Sequence, residues 1–124
     1  MQRALFRWIT LATPRIPQLA LAFHPANGGY RNPREAARLK GMGVRPGVPD
    51  VMIPYPAWHE YPERPADATQ YYGIAIELKS ATGRVTGEQE IWMQRLKEAG
   101  WFVRVCRSFD EARQVIADYF GVKP

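Results

Sequence analysis

Three charged residues have the types and spacing to do chemistry together. Glu77 and Lys79 stand two apart in Ile76-Glu77-Leu78-Lys79. The run before them alternates Tyr72, Ile74 and Ile76 with Gly73, Ala75 and Glu77, which predicts a strand over residues 71–79. Side chains two apart on a strand leave from the same face. Charge is expensive to bury on an otherwise apolar strand. The pair is therefore either a structural ion pair or part of a site. Asp50 weighs towards a site, because it opens a short strand, Val51–Ile53, directly after the turn-forming Gly47-Val48-Pro49. If the two strands pair as a hairpin, Asp50 lies beside Glu77. Two converging carboxylates repel each other unless a cation sits between them. An oxygen donor set of this kind suits Mg²⁺ or Mn²⁺. Such an ion polarises a phosphoryl oxygen and acidifies a water, and Lys79 alongside can orient that water or neutralise developing phosphate charge.

Gln89 has two readings. It lies in the first turn of a predicted helix, three residues after Thr86, so it can complete a capping box. It also shares a face with Trp92 and can point towards the sheet end carrying Glu77 and Lys79. The basic residues are unevenly placed. Arg3, Arg7, Arg15, Arg31 and Arg34 all precede the first acidic residue, Glu35. Arg31, Arg34, Arg38, Lys40 and Arg45 then form a basic stretch against Glu35 alone. By itself this is a solvated surface; beside a catalytic site it becomes a candidate phosphate-binding strip.

Other residues offer less. His24 and His59 have no partner at metal-ligand spacing. Asn27-Gly28-Gly29 lacks the spacing and the lysine of a phosphate-binding loop. Cys106 ends an apolar strand and reads as buried and inert. Tyr55, Trp58 and Tyr61 can either stack on unpaired bases or tack their loop down.

The elements that must position these residues follow from periodicity and punctuation. Leu5, Trp8, Ile9 and Ala12 predict a first helix over residues 2–12, stopped by Pro14 and Pro17. Alternation over residues 18–23 predicts a strand with both faces covered. Asn32-Pro33 opens a second helix running to about Lys40 and ending at Gly41, with Glu35 three residues after the cap. Residues 54–70 carry four prolines and form a long connection, read either as a hairpin tip that contacts a ligand or as an exposed insertion. Thr86 caps a third helix to about Ala99, with Gln89, Trp92, Leu96 and Ala99 on one face. A strand follows at 101–106. Ser108-x-x-Glu111 opens a fourth helix with Phe109, Ala112, Val115, Ile116 and Tyr119 inward. The expected order is α-β-α-β-β-α-β-α, a single α/β domain over residues 1–124 with a small mixed sheet flanked by helices.

The bulk properties exclude several classes. The 124 residues are 46% hydrophobic, enough for one core. The longest apolar run near the N-terminus, 19–23, is too short to span a bilayer, and we read no signal peptide. One cysteine allows neither an internal disulfide nor a cysteine zinc cluster, so a reducing cytoplasm is the expected setting. A net charge of +5 and a pI near 9.7 favour anionic partners.

With these motifs in order, the sequence resembles the VRR-NUC domain, a branch of the Pro-Asp…(Asp/Glu)-x-Lys nuclease superfamily. The text that carries the resemblance runs Asn27-Gly28-Gly29-Tyr30-Arg31, Leu39-Lys40-Gly41-Met42-Gly43-Val44, Gly47-Val48-Pro49-Asp50 and Ile76-Glu77-Leu78-Lys79-Ser80. Thr86-x-x-Gln89 with Trp92, Leu96 and Gly100 completes it. The resemblance implies a restriction-endonuclease-like fold and a Mg²⁺- or Mn²⁺-dependent DNA endonuclease, structure-specific in the manner of Holliday-junction resolvases. It places metal ligands at Asp50, Glu77 and the Leu78 backbone carbonyl, the catalytic lysine at Lys79 and an accessory role at Gln89. It further implies a homodimer acting on branched or junction DNA, in a bacterial cell or phage-infected host. The alternative on the same fold is a DNA-binding module with impaired catalysis. One departure favours that alternative: the family carries a glutamate in its first helix, and here no acidic residue precedes Glu35.

Overall fold

A computed structural model describes residues 1–26, 32–57 and 70–124. Its elements are α1 (Gln2–Ala12), a 3-10 helix (Pro17–Leu21), α2 (Pro33–Gly41), β1 (Val51–Ile53), β2 (Ile74–Leu78), α3 (Gly87–Glu98), β3 (Phe102–Cys106) and α4 (Phe109–Phe120). The fold is the small mixed α/β architecture expected, with one exchange. The segment read as a strand over 18–23 is mostly the 3-10 helix. Pro17 occupies its first turn, where a missing N–H costs nothing. The tight hydrogen bonds Leu19 N–H to Ile16 O and Ala22 N–H to Leu19 O, both 3.0 Å, then hold it. Only Phe23 behaves as a strand residue, bridging Met52 antiparallel. Leu19 is buried while Leu21 and Phe23 are exposed, so the expected two-sided burial is absent.

The sheet has three strands in the order β1-β2-β3. β1 pairs antiparallel with β2, Val51 opposite Ile76 and Ile53 opposite Ile74. β2 pairs parallel with β3, Ile74 opposite Phe102 and Leu78 opposite Cys106. The parallel step requires a crossover, and α3 supplies it.

The period-2 alternation divides the side chains between two layers. On one face Val51, Ile53, Ile74, Ile76, Phe102 and Cys106 meet α1, the 3-10 helix and α4 through Leu5, Ile9, Ile16, Leu19, Ile116 and Tyr119. On the other face Met52, Ala75 and Val103 pack with Met93 of α3. Glu77 follows Ala75 onto this second, thinner face. The α3 face is rotated from the one expected: Met93 is its buried residue, and Ala99 is the exposed C-cap. α2 buries none of its residues. Among the described residues, no helix is long and apolar enough to cross a membrane.

Candidate active site

The hairpin expected from the sequence forms, and its register decides the site. One step beyond the Val51–Ile76 pair, Asp50 comes level with Glu77. The Asp50 Oδ2 accepts a hydrogen bond of 2.8 Å from the Leu78 amide, which anchors the carboxylate against β2. Leu78 thus enters the site through its N–H.

Glu77 is the only charged residue among the buried ones described, at 2% exposure. Its Oε1 accepts 2.8 Å from Gln89 Nε2 and lies 3.8 Å from Lys79 Nζ. Its Oε2 is buried with no hydrogen-bond partner. Burial is the largest influence on its acidity, and the neighbouring Asp50 carboxylate acts in the same direction. Lys79 pulls the other way and loses, so the Glu77 carboxyl is pushed up to about 7. Two acceptor groups facing each other in a sparsely solvated place need a proton or a cation between them. The orphaned Oε2 marks where it would bind.

Gln89 performs both roles that its position allowed. Thr86 Oγ1 accepts from the Gln89 amide at 3.3 Å, and Gln89 Oε1 accepts from the Thr86 amide at 2.8 Å, closing the capping box. Its Nε2 is thereby aimed at Glu77. The helix cap and the site share one side chain.

These residues fit a divalent cation. Asp50 and Glu77 present carboxylate oxygens, the donors a hard cation takes; among the described residues no group of three or more His, Cys, Asp or Glu that could hold a metal ion is found.

Two contributors were not legible in the sequence. His24 Nδ1 lies 2.7 Å from the Asp50 carbonyl oxygen, tying the segment after the 3-10 helix to the head of β1. Arg107 Nη1 donates to Ser80 O at 2.8 Å and to Gly83 O at 2.7 Å, pinning the turn that follows Lys79. The parallel β2–β3 register, which sets Leu78 opposite Cys106, is the feature that brings Arg107 there.

The basic strip is split. Arg34, Arg38 and Lys40 are exposed on or beside α2, and Arg45 is exposed on the loop after it. Arg38 is engaged with Glu35 at 2.7 Å, while Arg45 Nη1 donates to the carbonyls of Lys40 and Val44. Arg31, Trp58, His59 and Tyr61 lie outside the described residues. Tyr55 packs edge-on against Phe120, with ring centroids 6.1 Å apart, so it tacks its loop down. Cys106 is buried, and burial together with Glu111 pushes its thiol up to about 12, which leaves it unreactive.

Comparison with known proteins gives the family and the fold. The family model for the VRR-NUC domain matches residues 25–110, which include Asp50, Glu77, Lys79 and Gln89. A solved structure described as a VRR_NUC domain protein is similar over 98% of this chain and 88% of its own, with a TM-score of 0.69 and 23% identity. That likeness is one of fold. No curated protein matches the chain.

Proposed function

Because this chain belongs to the VRR-NUC domain family, a nuclease-type family, we propose that it is a divalent-metal-dependent DNA endonuclease whose site is Asp50, Glu77, Lys79 and Gln89. The single observation that carries the reading is the buried, unpartnered Glu77 Oε2 beside Asp50. That oxygen makes no geometric hydrogen bond, and the Asp50 carboxylate beside it is a second acceptor, so the two repel when both are ionised.

Asp50, Glu77 and the Leu78 backbone carbonyl would hold Mg²⁺ or Mn²⁺. When bound, the ion would supply Lewis-acid polarisation of a phosphoryl oxygen and acidify a water. The chain's own residues do the rest. The Leu78 amide fixes Asp50, and Gln89 fixes the Glu77 oxygen that faces Lys79. Lys79, 15% exposed, holds its ammonium where it can orient a water or offset charge on the phosphate. Arg34, Lys40 and Arg45 offer exposed cations for the flanking backbone, where contacts position a strand without reading its sequence. A preference for branched DNA is part of the proposal, as is a homodimer, since a four-way junction requires two cuts related by a two-fold axis.

The test is cleavage of labelled junction, flap and linear duplex DNA with and without Mn²⁺. Cleavage should require the ion, and Asp50→Ala or Lys79→Ala should abolish it while leaving the fold and DNA affinity in place. Unchanged cleavage by either purified variant would sink the assignment. One observation favours a second reading, a DNA-binding module with impaired catalysis. α1 carries no acidic residue, and Glu35 is half-buried and engaged with Arg38 instead. That reading predicts salt-dependent DNA binding without cleavage and without a calorimetric Mn²⁺ signal that depends on Glu77.

A further inference from the structure

A cleft of about 320 Å³ opens beside the site, between the loop that leads to β1 and helix α3. Its walls include Pro25, Met42, Val44, Arg45, Val48 and Trp92. Three of these walls belong to segments that also position the site. Pro25 follows His24, whose ring meets the Asp50 carbonyl. Val48 is two residues before Asp50. Trp92 is one helical turn beyond Gln89, whose amide meets Glu77, and side chains three apart on a helix are neighbours. The cleft and the site thus share supporting segments, while Asp50, Glu77, Lys79 and Gln89 themselves lie outside its lining.

It is also built rather than incidental. Gly47, with φ +86°, brings the loop so close to α3 that a β-carbon there would stand 2.6 Å from the Glu88 carbonyl carbon. This contact holds one wall against the other. Trp92 is half-buried and lines the cleft, whereas Met93, Leu96 and Trp101 cover the sheet. Met42, 70% exposed, adds a polarisable rim. The charge on the rim is Arg45, at the end of the exposed α2 cations. A slot of mixed polar and apolar lining, with one aromatic wall and a cationic edge, matches a nucleobase with its attached phosphate. A slot for a peptide side chain would need no cationic edge. The volume sits at the small end of ordinary ligand clefts, roughly 300–1,000 Å³, which leaves room for one flat ring system and not for a duplex.

We propose that this cleft receives a single unpaired nucleobase, stacked on Trp92, from the strand whose phosphate lies at Asp50, Glu77 and Lys79. The proposal rests on the nuclease reading and sharpens its substrate class: DNA with an unpaired base next to the cut, as at a flap or junction. A base in a duplex must be unstacked before it can enter, at a cost of a few kcal/mol, so unpaired DNA is preferred.

The experiment uses the full chain in EDTA, so that no cutting intervenes. 2-Aminopurine is walked along the unpaired arm of a flap oligonucleotide, and its fluorescence and affinity are measured. Quenching is expected at one position. It should vanish in Trp92→Ala and persist in Trp92→Phe. Flap affinity should fall about fivefold to a hundredfold in Trp92→Ala, the range for loss of one base–aromatic stack, while affinity for fully paired duplex stays constant. Val44→Phe, which fills the cleft from the other side and leaves Trp92 in place, should also abolish the quench. Salt-dependent DNA binding with no position-specific quench, or a quench that survives both Trp92→Ala and Val44→Phe, overturns this inference alone. Absence of affinity for any DNA overturns it together with the nuclease reading.

Discussion

The strained chemistry of Glu77 should be measurable as stability without any substrate. In the metal-free fold its carboxyl is raised from 4.5 to about 7, first by burial and then by Asp50. A folded-state value above the unfolded one means that the native protein holds the proton more tightly. Stability therefore falls as pH rises from 4.5 to 7 and stays reduced above that range. At roughly 1.4 kcal/mol per pH unit, the full penalty is about 3 kcal/mol, a large part of the roughly 5–15 kcal/mol that holds a domain folded. Glu77→Gln keeps the shape and the acceptor for Gln89, removes the charge and cannot titrate. Urea unfolding in EDTA at pH 5 and pH 8 measures the effect. The wild type should lose about 2–3 kcal/mol more than Glu77→Gln between the two pH values. Comparison with the variant subtracts the titrating groups away from the site.

A cation should reverse the penalty. Mn²⁺ at a hundred times its dissociation constant stabilises a fold by about 2.7 kcal/mol. At pH 8 it should restore the wild type and leave Glu77→Gln nearly unmoved. Parallel pH profiles for the two proteins would refute the buried-carboxylate reasoning. An equal gain from Mn²⁺ in both would refute the assignment of Glu77 to the ion.

Two further outcomes follow from the same geometry. Gly47→Ala must place a β-carbon 2.6 Å from the Glu88 backbone at φ +86°; we expect a loss of about 2 kcal/mol or more in urea unfolding, and a wild-type midpoint would contradict the close packing. His24→Ala removes the ring that meets the Asp50 carbonyl at 2.7 Å; calorimetric Mn²⁺ affinity should fall about tenfold, as for other groups that orient a ligand from behind, and unchanged affinity would make that contact structural only.

Local chemistry made much of this fold legible. Asn32, Thr86 and Ser108 each accept a hydrogen bond from the amide three residues on, so three helix starts follow from cap residues alone. Period-2 alternation identified β2, and the turn before Asp50 marked the start of β1; their pairing was only a condition, which the register meets. What escaped was tertiary. Alternation over 18–23 reads as a strand, but Pro17 and the reversal after Ala12 favour hydrogen bonds to the third residue back. Helical spacing sets Gln89, Trp92, Leu96 and Ala99 on one face of α3; Leu96 does pack on the sheet, but the buried residue is Met93, which only the sheet beneath selects. His24 and Arg107 reach the site across 26 and 27 residues of chain, and neither residue type nor spacing encodes such contacts.

The charge count in the site bears on what α1 contributes. Asp50, Glu77 and Lys79 carry two negative charges and one positive, a formal sum of minus one. Under the proposed reading one divalent ion makes the sum plus one, and a single phosphodiester charge returns it to zero. A third carboxylate would leave the occupied complex with excess negative charge, unless a second cation accompanied it. In this chain α1 offers none. Its buried residues Leu5, Ile9 and Ala12 face the core, and its first turn holds no acid. The electrostatics are therefore self-consistent with one ion, and the absent first-helix acid is not by itself a reason to expect an inert site. The quantity that decides is the occupancy of Glu77 Oε2. When the oxygen is protonated, the pair is neutralised by a hydrogen that phosphate cannot use. Under the proposed reading, a cation there would turn the same burial that raises the carboxyl to about 7 into the low-dielectric setting in which Lys79 would act most strongly on a phosphate.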